Sequence, residues 1–364
     1  MSYSNFIEGH EASVEEASDC LPNKPGRYLA WLRRQFAAVI QLGSSIFYPR
    51  RTSYRTRMHA VCLTQGQGLV KRRLISLYQA VIHATARISG QHRTRELLAG
   101  GIRTVAVLGG ERLAITLTLR VPADLNVGAT ERACCYGVMF DLNLDDNTQR
   151  LMYYTGSYEA PFLKFLASDL DPESIYLDVG GHVGIDGLIA AAAIRNRSGN
   201  GHVVAIEAAE TSAKTFERAA GVNGLEEYVT IVHRALSDQA GFLTLYTDPE
   251  FGPNDASCWS QFNQGLPVCT VESVTADALV DELGLHRVDL VKIDVEGGEL
   301  AALRGMAGVL RKFRPAMVIV ELNERRLEQA GSNVDEIDNE LRLRDYKRSG
   351  RRFMQNQVYT PIER

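Results

Sequence analysis

The chain has 364 residues, 45% of them hydrophobic and 23% charged, with 40 Lys and Arg against 44 Asp and Glu for a formal charge of −4. That length buries a sizeable core in more than one structural region, and the composition excludes a fibrous or wholly disordered chain. No apolar run reaches the roughly 18–20 residues of a membrane span, and the six cysteines show no C-x-x-C or other metal-ligand spacing.

The small net charge hides an asymmetry. From Leu21 to Gly100 there are fourteen Lys and Arg and one acid, Glu96, so the remainder is acidic. Such a stretch fits a surface for anionic lipid or an acidic substrate, or else a solvated arginine-rich helical face. The arginines are scattered, which favours the second, and peripheral membrane contact stays open. No interleaving of basic residues with stacking aromatics marks a nucleic-acid groove. The N-terminus has no basic segment followed by an apolar one, so it does not read as a secretory signal. The cysteines read as reduced thiols of a cytoplasmic protein.

Residues 1–25 are polar and acid-dotted, end in Pro22 and Pro25, and read as a disordered tail. A basic helical region is expected over 26–100. In it Tyr28, Leu29, Trp31, Leu32, Phe36, Val39 and Ile40 share one face of a helix over Arg27–Ile40, and a second helix runs from Gly68 to about Ile88. From Thr104 the hydrophobic period changes to two. Thr104–Leu108, Arg112–Leu119 and Gly137–Leu142 read as short strands of an antiparallel lead-in over 101–170, which ends in a helix through Phe162, Leu163, Phe165 and Leu166. Asp141, Asn143, Asp145 and Asp146 lack the sixth-place Gly and twelfth-place Glu of a calcium loop, and read as a polar hairpin turn.

The region 171–364 opens on Ile175–Gly187, I-Y-L-D-V-G-G-H-V-G-I-D-G. A short apolar run breaks into Gly180, Gly181 and Gly184, and an Ala-rich helical segment follows. Strand, glycine loop and helix form the opening unit of a doubly wound nucleotide-binding sheet. A second strand, His202–Glu207, ends in an acid about twenty residues on, where this architecture grips ribose hydroxyls. No G-x-G-x-x-G can be read in register, and Asp178 precedes the glycines. An acid there repels a pyrophosphate and suits a ligand with cationic or hydrogen-bond-donating groups. S-adenosylmethionine, with a sulfonium and an ammonium, is such a ligand.

Beyond the loop, strands and helices alternate. Val229–His233, Val288–Asp294 and Met317–Glu321 read as further core strands, Thr275 as a helix cap, and Phe242–Tyr246 and Pro267–Val271 as strands flanking a polar insertion. In open α/β sheets ligands sit outside the carboxyl ends of the strands. Asp178, Glu207, Asp294 with Glu296, and Glu321 deliver acids to that edge from four separate strands.

These motifs carry a resemblance. D-V-G-G-H-V-G, V-V-A-I-E, A-L-S-D, the T-x-D of Thr275–Asp277, V-D-L-V-K-I-D-V-E-G-G-E-L and a final I-V-E resemble the FkbM-type methyltransferases over roughly Asp141 to Thr360. The Tyr158-Glu159 pair also matches one ahead of that family's glycine loop. The resemblance implies a class I methyltransferase-like α/β fold: a doubly wound, mostly parallel Rossmann-like sheet with an N-terminal helical region and a small antiparallel β lead-in. It implies S-adenosylmethionine as cofactor and O-methylation of a sugar, glycolipid or polyketide-type acceptor. Carried over, Asp178, Gly180 and Gly184 hold the methionine portion, Glu207 the ribose, and Ser237 or Asp238 the adenine end. Tyr158 and Glu159 belong to the same cofactor set. Asp294 and Glu296 lie beside the transferring methyl. Departures are Gly181 and His182 at the family's Ala and Asn places, and Ala208 at its Pro.

An alcohol is a poor nucleophile at neutral pH, so a base within hydrogen-bond reach helps. Glu296 is the first candidate, with Asp294, Glu321 and His182 behind it. Asp294 and Glu296 have the oxygens to share Mg²⁺, yet nothing in the spacing demands a metal and none is expected. Two other readings compete. A nucleic-acid methyltransferase would carry N-P-P-Y or D-P-P-Y where Asp294-Val295-Glu296-Gly297 stands. A binding protein that kept the fold without the chemistry would explain His182. The acceptor and the oligomeric state are not written in the sequence.

Overall fold

The computed structural model describes residues 78–79, 81–87, 89–107, 111–248, 252–257 and 267–363. The tail over 1–25, the helix expected over Arg27–Ile40 and most of the helix expected from Gly68 lie outside these residues; 81–87 is helical. The chain divides into two compact units between Leu125 and Asn126, where the sequence set boundaries near 100 and 170.

In the first unit the described part is helical: α1 (Gln91–Val107) and α2 (Glu111–Thr118). The strands expected at Thr104–Leu108 and Arg112–Leu119 are therefore not formed. Alternation is ambiguous in short segments, and here the buried set is Leu98, Ile102 and Val105 in α1 and Ala114, Leu117 and Thr118 in α2, which is helical spacing. Two threonines of these segments turn their hydroxyls onto the preceding turn, Thr104 onto the Gly100 carbonyl and Thr118 onto that of Ala114.

The second unit begins with a hairpin of β1 (Thr130–Cys135) and β2 (Val138–Asn143). Asn223 treats the β2 edge as another strand would: its side chain accepts from the Met139 amide and donates to the Met139 carbonyl, both at 2.8 Å. The acids weighed as a calcium loop are otherwise engaged. Arg132 forks onto Asp141, and Asp146 caps α3 (Asn147–Thr155) by accepting from the Gln149 amide. Helix α4 (Ala160–Ser168) follows, its Glu159 cap in left-handed conformation at φ 46°.

The main sheet uses β3 (Ile175–Val179), β4 (His202–Ile206), β5 (Val229–Val232), β10 (Leu290–Ile293), β11 (Met317–Glu321), β12 (Tyr346–Phe353) and β13 (Asn356–Pro361). Their order is β12-β13-β11-β10-β3-β4-β5, with the five inner and outer strands from β11 to β5 parallel and the last hairpin antiparallel. The closing hairpin was not anticipated; R-S-G-R-R in β12 lacks the apolar run of a central strand and makes an edge. A second, four-stranded sheet, β6 (Ala235–Leu236), β9 (Pro267–Val274), β7 (Gly241–Asp248) and β8 (Gly252–Ser257), grows from the loop after β5.

The parallel strands alternate faces. Leu177, Val179, Val204, Ile206, Val291, Ile293, Val318 and Val320 share one core with α7 (Ala276–Glu282), α8 (Glu299–Gly305) and α9 (Ala307–Lys312). Asp178 lies on the other face, against Gly187 of α5 (Ile185–Asn196). Phe216 of α6 (Glu210–Asn223) fills the hollow under the glycine loop; a Cβ at Gly184 would stand 2.3 Å from its ring. At Gly180, φ is +90° and a Cβ would stand 1.8 Å from the Asp294 carbonyl oxygen. These glycines thus serve close approaches of protein to protein, Gly180 to the end of β10 and Gly184 to α6. Gly180→Ala combines left-handed strain with that clash, and is expected to lose at least about 2 kcal/mol in urea unfolding followed by circular dichroism.

Candidate active site

Strand register builds the site. Val179 pairs with Ile206 and with Ile293, and Ile293 with Val320. The residues that follow these four, Gly180, Glu207, Asp294 and Glu321, therefore emerge side by side at the carboxyl edge of the sheet. All four line a cleft that also takes in Tyr158, His182, Asp186, Ser237, Lys292 and Glu296. Asp178 stands one residue earlier, in register with Ala205 and Lys292, and is 1% exposed. It lies beneath the cleft and does not line it, nor does Gly184 or Glu159. Asp238 opens onto a neighbouring depression and accepts from Ser237 at 3.3 Å.

Glu207 is fixed from both sides. One carboxylate oxygen accepts from the His182 amide and the other from the Ala209 amide, each at 2.7 Å. Burial nonetheless pushes its acidity weaker, against the pull of His182 and these amides. Each oxygen keeps a lone pair for a ligand hydroxyl. Beside it Ile206, Ala208, Leu236, Leu243, Leu245 and Ala301 make an apolar slot that Ser237 borders. His182 has a left-handed backbone at φ 47°, and its Nε2 stands 3.6 Å from Asp146.

At the other end the charge is dense. The Lys292 ammonium is 2.6 Å from Asp186, 3.0 Å from Asp294 and 3.9 Å from Glu159, and lies over the Phe162 ring. Burial opposes its charge, but Asp186, Asp294 and Glu159 overcome that and hold it well above the ordinary lysine range. Glu159 accepts twice from Asn356 of β13, and burial raises it to about 7. Asp178 accepts from the Tyr176 hydroxyl, and burial with the nearby Asp186 raises it. Glu296 pairs with Arg326 Nε at 3.1 Å. Glu299, the first residue of α8, accepts from the Val295 and Gly297 amides and so holds the loop that carries Glu296. Glu321 has a buried Oε2 with no hydrogen-bond partner. Burial, then Asp294, Glu296 and Glu299, push it up to about 10, so it is a neutral acid at pH 7. Sequence reasoning did not single out Asp186 or Arg326. Asp186 sits in the first turn of α5 as an ordinary N-terminal acid, and only the fold brings it to Lys292.

The strand order, with its reversed last strand, and a carboxylate-rimmed cleft at the carboxyl edge define a class I methyltransferase fold. Residues 178–348 match the family model of the methyltransferase FkbM domain. The chain carries an S-adenosylmethionine-dependent methyltransferase domain of the FkbM type. Similar solved structures include methyltransferase FkbM from Methylobacillus flagellatus KT, at 16% identity over 58% of this chain and 54% of that one, TM-score 0.37. M. jannaschii TYW2 in complex with AdoMet is 12% identical over 64% of this chain and 87% of that one, TM-score 0.34. The precorrin-6y C5,15-methyltransferase from Geobacter metallireducens GS-15 is 14% identical over 56% and 87%, TM-score 0.32. The chain spans about half the length of the Methylobacillus protein, and likenesses this distant carry no argument about substrate. No curated protein matches.

The cleft fits the cofactor of this class on two observations. Glu207 presents an anchored carboxylate beside an apolar slot, and at the opposite end the carboxylates of Asp294 and Glu296 line the cleft where a sulfonium would be favoured. Glu321 supplies a test by pH. Its folded-state acidity is weaker than that of an unfolded Glu near 4.5, so the folded state keeps a proton that the unfolded state loses. The stability this contributes is whole below the ordinary value and drains as pH rises toward about 10. Glu321→Gln has no proton to lose. Its melting temperature is expected to gain on wild type between pH 6 and pH 9, measured on both proteins in the same buffers.

Proposed function

We propose that the protein is an O-methyltransferase that moves the methyl of S-adenosylmethionine to a hydroxyl of a sugar, glycolipid or polyketide-type acceptor. The observation that carries this reading is the group of acids at the sheet edge: Asp294 and, in the loop after it, Glu296 are ion-paired carboxylates, and burial favours the protonated form of Glu321. When bound, the cofactor supplies an electrophilic methyl on a cationic sulfur. Glu207 would hold the ribose hydroxyls, Ser237 would border the adenine, and the loop of Gly180 to His182 would lie along the methionine portion. The remaining work is alignment of the acceptor oxygen in line with carbon and sulfur.

The donor would supply the methyl and retain the electron pair of its carbon–sulfur bond, and the proton lost by the acceptor hydroxyl would pass to a carboxylate of the cleft. Burial and the neighbouring acids favour the protonated form of Glu321, which turns the choice of base to Glu296 and Asp294. Glu296 is the more exposed, at 36% of its side chain against 22% for Asp294, and is the base we assign. Asp294, with His182 across the cleft, would position the acceptor. Ion-paired carboxylates are weak bases, which suits a reaction whose driving force lies in the sulfonium. The free thiols of Cys134, Cys135 and Cys269 support a reducing, cytoplasmic setting. Among the described residues no helix is long and apolar enough to cross a membrane.

Incubation with labelled donor and a panel of glycosides, lipids, polyketides and nucleic acids, read by mass spectrometry, tests the acceptor class; label on nucleic acid alone overturns the assignment. Two variants test the roles. Glu207→Ala is expected to weaken donor binding by about 1–3 kcal/mol in calorimetry, the loss of a charge-assisted hydrogen bond. Glu296→Gln is expected to slow single turnover about 10²–10⁴-fold with donor affinity nearly unchanged. If Glu296 serves only to pair Arg326, the same variant melts lower and turns over at the normal rate.

A further inference from the structure

Lys292 is 4% exposed, and its ammonium is surrounded by carboxylates of the protein. Its ammonium has three N–H donors, with carboxylates of Asp186 and Asp294 in hydrogen-bond range and Glu159 behind them. It lines the cleft, yet the protein's own carboxylates engage two of those donors. Its partners come from three elements: the first turn of α5, the cap of α4 and the end of β10 itself. Glu159 is clamped in turn by Asn356, which is fully buried in β13. Of these carboxylates Asp294 is the most exposed and belongs to the row at the sheet edge. Glu159, Asp178 and Glu299 crowd the Asp294 carboxylate, so without the Lys292 ammonium it would turn away from them.

We propose that Lys292 is a positioning residue for methyl transfer, holding the Asp294 carboxylate toward the sulfonium, and that Asp186 and the Asn356-clamped Glu159 hold Lys292. The proposal rests on the reading of this cleft as the donor site. It makes a prediction opposite to that of simple charge. A cation near a sulfonium repels it, so removing Lys292 should favour the sulfonium if charge alone acts. If Lys292 acts through Asp294, its removal should cost sulfonium preference.

Titration calorimetry with S-adenosylmethionine and S-adenosylhomocysteine, which differ by the methyl and its positive charge, reads that preference as a ratio of affinities. Lys292→Met is expected to lower the ratio about tenfold, toward that of Asp294→Asn, and Lys292→Met/Asp294→Asn to lose no more than Asp294→Asn alone. An unchanged or raised ratio in Lys292→Met overturns the proposal. Should Lys292→Met not fold, Lys292→Met/Asp186→Asn removes both members of the buried pair, a change proteins tolerate better than removing one. Its ratio is expected to fall as well, and a wild-type ratio there overturns the proposal. Wild type that binds neither compound refutes the donor-site reading itself, a separate result.

Discussion

An ammonium taken out of water keeps its charge only where anions replace the lost solvent. Lys292 meets that condition with Asp186, Asp294 and Glu159, and the arrangement constrains much of what surrounds it. The start of α5 has to place Asp186 within 2.6 Å, which fixes the glycine loop that feeds it. The cap of α4 has to bring in Glu159, and the closing hairpin has to supply Asn356 to steady it. Elements distant in sequence are thus tied through one side chain on the central strand β10. Such a cluster adds little net stability, because desolvation offsets the attraction; its worth is in fixing one geometry.

The second constraint is register. Parallel strands that end level present their next residues as a row, and a shift of one residue sends a side chain to the opposite face. Gly180, Glu207, Asp294 and Glu321 make that row because Val179, Ile206, Ile293 and Val320 pair across the sheet. The glycine in the row lets β3 press against the Asp294 carbonyl and leaves room above. Three acids in one row cannot all ionise cheaply, and the differences among them follow from their partners. Asp294 has Lys292, Glu207 has two amides, and Glu321 has an unpartnered oxygen and keeps its proton.

The sequence by itself determined the strand–glycine–helix unit, the carboxylates at the ends of β4, β10 and β11, the Thr275 cap and the class of cofactor. These are local patterns: an apolar run, a break at glycine and an acid at the strand end keep their meaning wherever the chain folds. The same patterns misled at Thr104–Leu119, where alternation stood in for helical spacing. They also passed over β12 and β13, an edge hairpin that has no buried run to announce it.

Tertiary structure alone decided the division of labour among the acids. Asp178 and Glu207 look equivalent in the sequence, each closing a strand before a loop, yet one register step buries Asp178 under the cleft and leaves Glu207 on its wall. Lys292, Asp186, Glu159 and Asn356 lie as far apart as 197 residues, and no local signal joins them. A carboxylate's charge depends on what stands within a few ångströms, and sequence order does not report that distance. It is the folded sheet, through its register and the helices packed on it, that makes one acid an amide-anchored carboxylate, one an ion-paired carboxylate and one a buried acid that burial and its neighbours hold protonated.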